Sequence, residues 1–265
     1  LHIAKKTLAL RSRFGSTAAA VFAAPSLTVE EAGRAAFFGK NILGTAKLSS
    51  FAGNSGRGLQ NVFGENLSTN SLDEVAATDV ILMVGSFNEN QVMAVRARNA
   101  VKCGAKLIII SPEKSLVDDI ATIRISPDNS IEIIKEILAA IINQGKINTD
   151  YIASRTVGLE AVQEDLRTAV PGEQALSIAE LYGQAGKAMI LVDGYTVSAG
   201  AVELLADLAV VTGRVGTPRN GIIVINPGGN GTGVWQAGFK NDVNEIISSI
   251  ENGETKKTTK ERYNI

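Results

Sequence analysis

A chain of 265 residues lies between one large domain and two ordinary ones, and a 45% hydrophobic content is enough to build a substantial core. Lys and Arg number 26 against 27 Asp and Glu, so there is no net field to draw in a polyanion, which argues against nucleic acid as a partner. One Cys (Cys103) and one His (His2) cannot supply an internal disulfide, a closed zinc site or an iron–sulfur cluster.

The longest apolar runs fall far short of the ~20 residues a spanning helix needs, so no direct membrane insertion is expected. The N-terminus carries neither an initiator Met nor a signal-type apolar run, and it reads as excised from something longer.

Residues 2–13 are expected to form a helix ended near Gly15, followed by a short buried strand over 18–22. Thr28 can cap the next helix, with Glu31 completing a capping box, and that helix should reach about Gly39. Residues 44–64 are rich in Gly, Ser and Asn without a sustained period and are expected to be a loop. Residues 79–86 are an apolar run of strand length closing on Gly85 and Ser86, which fits a parallel strand buried on both faces. A helix over 90–103 follows, with Val92, Val95, Ala100 and Val101 on one face and Gly104 as its stop. A second buried strand is expected over 106–112.

An apolar helix over 131–143, a polar helical excursion over 151–169 and a short helix over 177–185 come next. The β-α-β theme then returns as a strand over 188–192, a helix over 201–212 stopped by Gly213, and a strand over 221–225. The alternation predicts an α/β fold with a mostly parallel sheet. The charged, Thr-rich tail over 251–262 is expected to be a solvated end.

Ligands of open α/β sheets bind outside the strand carboxyl ends, so the residues there are the candidates for a cofactor. They are Gly85, Ser86 and Asn88 after the first long strand, Ser111 and Pro112 after the second, Gly194 and Tyr195 after the third, and Asn230 in the glycine-rich segment 226–233. Each is equally readable as a plain turn. The glycine-rich segment must bend sharply or be closely approached. No Gly-x-Gly-x-x-Gly or Walker pattern is present, which disfavours a nicotinamide-binding domain or a P-loop. No nucleophile elbow and no central imidazole exist for a Ser-His-acid triad, so no catalytic residue is assigned. Cys103 is expected to be a small buried thiol, and Asp118 with Asp119 and Glu30 with Glu31 to be solvated or capping charges.

Thr69 to Val75 followed by 77–88, then 94–101 and 104–112, resemble the molybdopterin oxidoreductase family's "TNSL…DI…AD-ILV-GSNP" and "R-RKAVKRGAKLIVIDPR" segments. Residues 208–216 resemble its "LA-LTGN-GKPG" region, and 228–238 stand in the place of its "GQNN-QGA-DMG" loop. The similarity runs in order over most of residues 18–240. It implies the family's two central α/β domains: two Rossmann-like lobes with mostly parallel sheets, at 1–146 and 147–240, then a C-terminal helix and charged tail at 241–265. It further implies that the candidate residues above face a pterin guanine dinucleotide, with iron–sulfur clusters and the molybdenum or tungsten centre belonging to the longer parent.

Two departures bear on chemistry. Where formate dehydrogenases of the family carry a Cys or selenocysteine ligand followed by His, this chain reads Ser50-Phe51-Ala52-Gly53-Asn54-Ser55-Gly56. The family's "DPR" is Ser111-Pro112-Glu113, a carboxylate in place of an arginine. The departures favour a structural module of an NADH-oxidising electron-transfer complex of the NADH-quinone oxidoreductase type, with the metal site lost and no cofactor of its own. The alternatives are the dinucleotide-binding part of an active formate dehydrogenase alpha subunit, and an unrelated phosphate-ligand-binding α/β domain. The expected partners are the remaining domains of the parent subunit and other subunits of the complex, in the cytoplasm or on the peripheral arm of a membrane-associated assembly.

Overall fold

The chain divides into two compact units, residues 1–53 with 226–265 and residues 54–225; the computed structural model describes residues 2–51 and 55–253. The first unit opens with α1 (His2–Phe14), stopped at Gly15 by a left-handed φ of 80°. A short 3-10 turn over Ser16–Ala18 delays the expected strand, so β1 is Val21–Ala23. The capping box forms at α2 (Val29–Phe37): Glu31 N donates to Thr28 Oγ1 at 3.2 Å, and Thr28 N donates to Glu31 Oε2 at 3.0 Å. The helix continues as a π turn over Phe38–Leu43 and ends at Gly44.

The segment 44–64, expected to be a loop, instead carries β2 (Leu48–Ser50) and α3 (Ser55–Phe63). Parallel pairing with β1, Val21 opposite Leu48, makes the first of these a strand. In the second, Gly56 and Gly58 weaken helix propensity but admit a close neighbour: a methyl at Gly58 would run into the Ala199 carbonyl oxygen. Local composition hid a helix that tertiary packing stabilises.

The second unit continues with β3 (Val80–Val84), α4 (Gln91–Lys102), β4 (Lys106–Ile110), β5 (Ile123–Ile125) and α5 (Ser130–Asn143). The polar excursion is two short helices, α6 (Thr149–Arg155) and α7 (Leu159–Asp165), followed by α8 (Glu173–Gln184). Then come β6 (Ala188–Asp193), α9 (Ala199–Val211) and β7 (Gly221–Ile225). All five strands β3 to β7 form one parallel sheet in the order β5-β4-β3-β6-β7. The boundary expected between residues 146 and 147 therefore falls inside a single unit, because Val80 pairs with Ala188 and joins both β-α-β runs edge to edge.

Every residue of β3 is buried. Leu82, Val84, Ile190 and Val192 face the core that α5, α8 and α9 cover, while Ile81, Met83, Met189 and Leu191 face the core that α4 covers. Both faces need apolar residues, hence the unbroken runs in the sequence. On α4 the buried face is Met93, Ala94, Ala97 and Ala100; Val92 and Val95, expected on that face, are 59% and 56% exposed. Small Ala side chains let the helix approach the sheet closely, which turns the larger Val residues outward. Cys103, expected to be buried, is exposed at the helix C-terminus beyond that face.

The chain returns to the first unit with α10 (Gly231–Gln236) and α11 (Val243–Glu251). Asn241 N donates to Leu48 O at 3.0 Å and Asn241 Oδ1 accepts from Leu48 N at 2.9 Å, so this segment is stitched to β2. The close approach expected of the glycine-rich segment is to backbone: a methyl at Gly228 would lie 2.8 Å from Pro25 O. The expected solvated tail falls, from residue 254 onward, outside the described residues.

Gly58 gives a test of helix packing. A Gly to Ala change inside a helix ordinarily stabilises by about 0.5–1 kcal/mol. Gly58→Ala is expected to do the reverse and cost about 1–3 kcal/mol through forced separation of α3 from α9. A urea midpoint equal to or above that of the wild type would show that α3 does not depend on this contact.

Candidate functional site

The strand order reverses between β3 and β6: after β3 the chain moves outward to β4 and β5, then crosses back to β6 and β7. At such a switch point the loops leave in opposite directions and a crevice opens at the strand carboxyl ends. Here it has a volume of about 430 Å³ and is lined by the turns after β3 and β4, the start of α5 and the start of α9.

Four of the expected residues line it: Gly85, Ser86, Ser111 and Pro112. Ser86 and Ser111 are buried, and the Ser111 hydroxyl accepts from Glu113 N at 3.2 Å. Asn88 is exposed and turned away, its amide donating to Lys114 O at 3.1 Å. Gly194 is held in the fold, donating through N to Ile225 O at 2.9 Å and accepting from Ser55 Oγ at 3.3 Å. Tyr195 is 48% exposed and does not line the crevice. Asn230 belongs to the first unit, where its amide donates to Leu27 O at 2.8 Å.

Residues that no local motif marks complete the lining: Asp128, Asn129 and Ser130 at the start of α5, and Thr196 and Ser198 at the start of α9. Both helices are capped by side chains at the crevice, Asn129 Oδ1 accepting from Ile131 N at 3.0 Å and Ser198 Oγ from Ala201 N at 3.4 Å. Two helix N-termini bring partial positive charge, while Glu113 and Asp128 bring two carboxylates and, among the described residues, no Lys or Arg lines the crevice. Arg124 on β5 is engaged elsewhere: it pairs with Asp118 at 2.9 Å and donates to the carbonyls of Ser111 at 2.7 Å and Glu113 at 2.6 Å. It braces the 111–113 turn from behind.

A larger cavity of about 780 Å³ lies among α3, α6, α7 and α9, away from the strand carboxyl ends. Its wall mixes aliphatic residues with the charged Glu65, Arg155, Glu203 and Asp207, and burial together with Glu203 and Asp165 pushes the Asp207 carboxyl up to about 6. Glu203 accepts from Asn61 at 2.8 Å and Asp165 pairs with Lys135 at 3.0 Å. The smaller crevice is the candidate site, because it is where the fold presents backbone ends and hydroxyls together.

The expected metal-ligand segment 50–56 is only partly described, since residues 52–54 lie outside the described residues. Phe51 is 61% exposed and stacks on Phe22 with ring centroids 5.3 Å apart. Among the described residues no group of three or more His, Cys, Asp or Glu side chains could hold a metal ion, and no helix is long and apolar enough to cross a membrane.

The five-stranded parallel sheet of the second unit, with a hydroxyl-lined crevice at its switch point, is an open α/β fold. The molybdopterin oxidoreductase family model matches residues 1–260, and the chain belongs to that family. It is 28% identical over 214 residues to the F420-dependent formate dehydrogenase subunit alpha of Methanocaldococcus jannaschii, a match covering 74% of this chain and 32% of the relative. It is 27% identical over 278 residues to the assimilatory nitrate reductase catalytic subunit of Bacillus subtilis, covering 96% of this chain and 39% of that one. Among solved structures, acetylene hydratase of Pelobacter acetylenicus superposes with a TM-score of 0.66 at 17% identity, over 82% of this chain and 32% of that chain, which shows a shared fold. The chain thus spans about a third of the length of the curated relatives it matches.

A pterin guanine dinucleotide, the group implied by the family, would offer this crevice a diphosphate and a base. The base edge suits the lining, since Glu113 and Asp128 are acceptors for ring and amino N–H groups. The diphosphate does not fit, because among the described residues two carboxylates and no cation line the space.

Asp207 supplies a pH test. An aspartate whose folded pKa is raised stabilises the fold only while protonated: the contribution is complete below the ordinary aspartate value and is lost as pH rises through about 6. Asp207→Asn is therefore expected to be more stable than wild type at neutral pH, with the advantage shrinking through that window and disappearing in acid. Parallel pH profiles for the two proteins would refute it.

Proposed function

We propose that this chain is the cofactor-cleft region of a formate-dehydrogenase-type large subunit, retained as a structural module of an NADH-oxidising electron-transfer complex of the NADH-quinone oxidoreductase type, with its metal site lost. The observation that carries the reading is the charge of the switch-point crevice: a crevice opens at the strand carboxyl ends, and Glu113 and Asp128 line it, whereas a diphosphate needs cations. Phe51 supports it, since a stacked aromatic at the edge of the expected ligand segment offers no donor atom to a metal. The remaining domains of the parent subunit and its neighbouring subunits are then the partners, and no chemical step is assigned to this chain.

A second reading has its own support. The relatives named as formate dehydrogenase alpha subunits align over as much as 74% of this chain, and Glu113 and Asp128 can accept from the N–H edge of a guanine. In that reading the parent is an active formate dehydrogenase and this region grips the cofactor by its base.

Metal and pterin analysis of the full-length parent separates the two. The expected result is iron without stoichiometric molybdenum or tungsten, and no pterin released on acid extraction. One molybdenum or tungsten per subunit, accompanied by pterin, would put the second reading first.

A further inference from the structure

Asp193 closes β6 and is 3% exposed, a buried carboxylate that makes no ion pair among the described residues. Its oxygens each accept one backbone amide: Oδ2 from Phe87 N at 2.9 Å and Oδ1 from Tyr195 N at 3.0 Å. These amides belong to the turns leaving β3 and β6, the strands that flank the switch point. Phe87 holds a left-handed φ of 55°, unfavourable for an aromatic residue, in the turn that presents its N–H to this carboxylate. Gly85 lets the two turns meet, since a methyl there would run into Asp193 Cβ. In open α/β folds, amides of such turns ordinarily meet the phosphate of a ligand.

We propose that Asp193 is a built-in anion that occupies the amide seat of the switch point and sets the specificity of the adjoining crevice, which excludes phosphate and takes the donor-bearing, uncharged or cationic end of its ligand. Ser86, Ser111 and Thr196 supply hydroxyls to such an end, and Glu113 and Asp128 accept from it. The specificity rests on the crevice being the ligand face, as proposed above. The seat itself rests only on the contacts of Asp193.

Asp193→Ala removes the carboxylate acceptor from the buried Phe87 amide and the part-buried Tyr195 amide and leaves a hole the size of a carboxylate. The variant is expected to melt lower than wild type by roughly 5 °C or more. Sodium formate and inorganic pyrophosphate should each recover part of that loss, and sodium chloride at matched ionic strength should not. Wild type should respond to none of the three. Asp193→Asn refills the hole and keeps one acceptor, so it should lose less and ignore formate. If Asp193→Ala does not accumulate in folded form, the yield on refolding in formate against chloride gives the same readout.

An Asp193→Ala protein that melts like wild type, or that formate and pyrophosphate do not stabilise, overturns the built-in anion. Wild-type protein stabilised by pyrophosphate overturns the exclusion of phosphate. Calorimetry with guanosine and with guanosine diphosphate on the wild type keeps the two readings apart: binding of neither removes the crevice as a guanine site and leaves the anion-rescue result standing, whereas tighter binding of the diphosphate refutes the specificity.

Discussion

The pairing of β3 with β6 is the contact on which the second unit depends. It joins residues more than a hundred positions apart, Val80 with Ala188 through Val84 with Val192, and places β3 where strands flank both edges and helices cover both faces. Full burial of each aliphatic side chain there is worth about 1.5–3 kcal/mol, so this strand outweighs any polar contact on the surface. An exposed ion pair such as Arg98 with Asp119 is screened by solvent and adds little beside it. The same pairing creates the switch point, and so determines where a ligand can enter.

Fold and charge at the crevice answer to different forces. Backbone positions are set by the sheet and by helices packed against it, and these survive a change in the polar residues at the strand ends. Affinity for an anion needs cations or uncommitted amides. Around this crevice Arg124 is engaged with Asp118 and the 111–113 turn, and the amides of Phe87 and Tyr195 meet Asp193. A family fold can therefore persist while the chemistry of its cleft changes, which is why membership in the molybdopterin oxidoreductase family does not by itself assign this chain an activity.

The first unit is built on contacts of long sequence separation. Residues from both ends of the chain form it, with Asn241 stitched to Leu48 by two hydrogen bonds and the glycine-rich segment laid against Pro25. Forming those contacts closes a long loop, and most of that loop is the second unit, which has its own core.

What the sequence determined by itself was whatever local physics dictates. Unbroken apolar runs announced β3, β4, β6 and β7 because a strand buried on both faces needs no polar alternation, and the Thr28–Glu31 box announced α2 because its partners are three residues apart. Gly85, Ser86, Ser111 and Pro112 could be placed at the strand ends, where the crevice opens, because they end such runs. Tertiary structure decided the rest. α3 forms although glycine disfavours it, because α9 packs against the bare backbone, and β3 and β6 share one sheet because strand pairing leaves no mark in the strands themselves. Asp193 had only a faint signal, an acid closing an apolar run before Gly194. Its role comes from two amides that approach it in space, one of them on a residue 106 positions away, and hydrogen bonds over such a separation depend on the register of the strands that carry them.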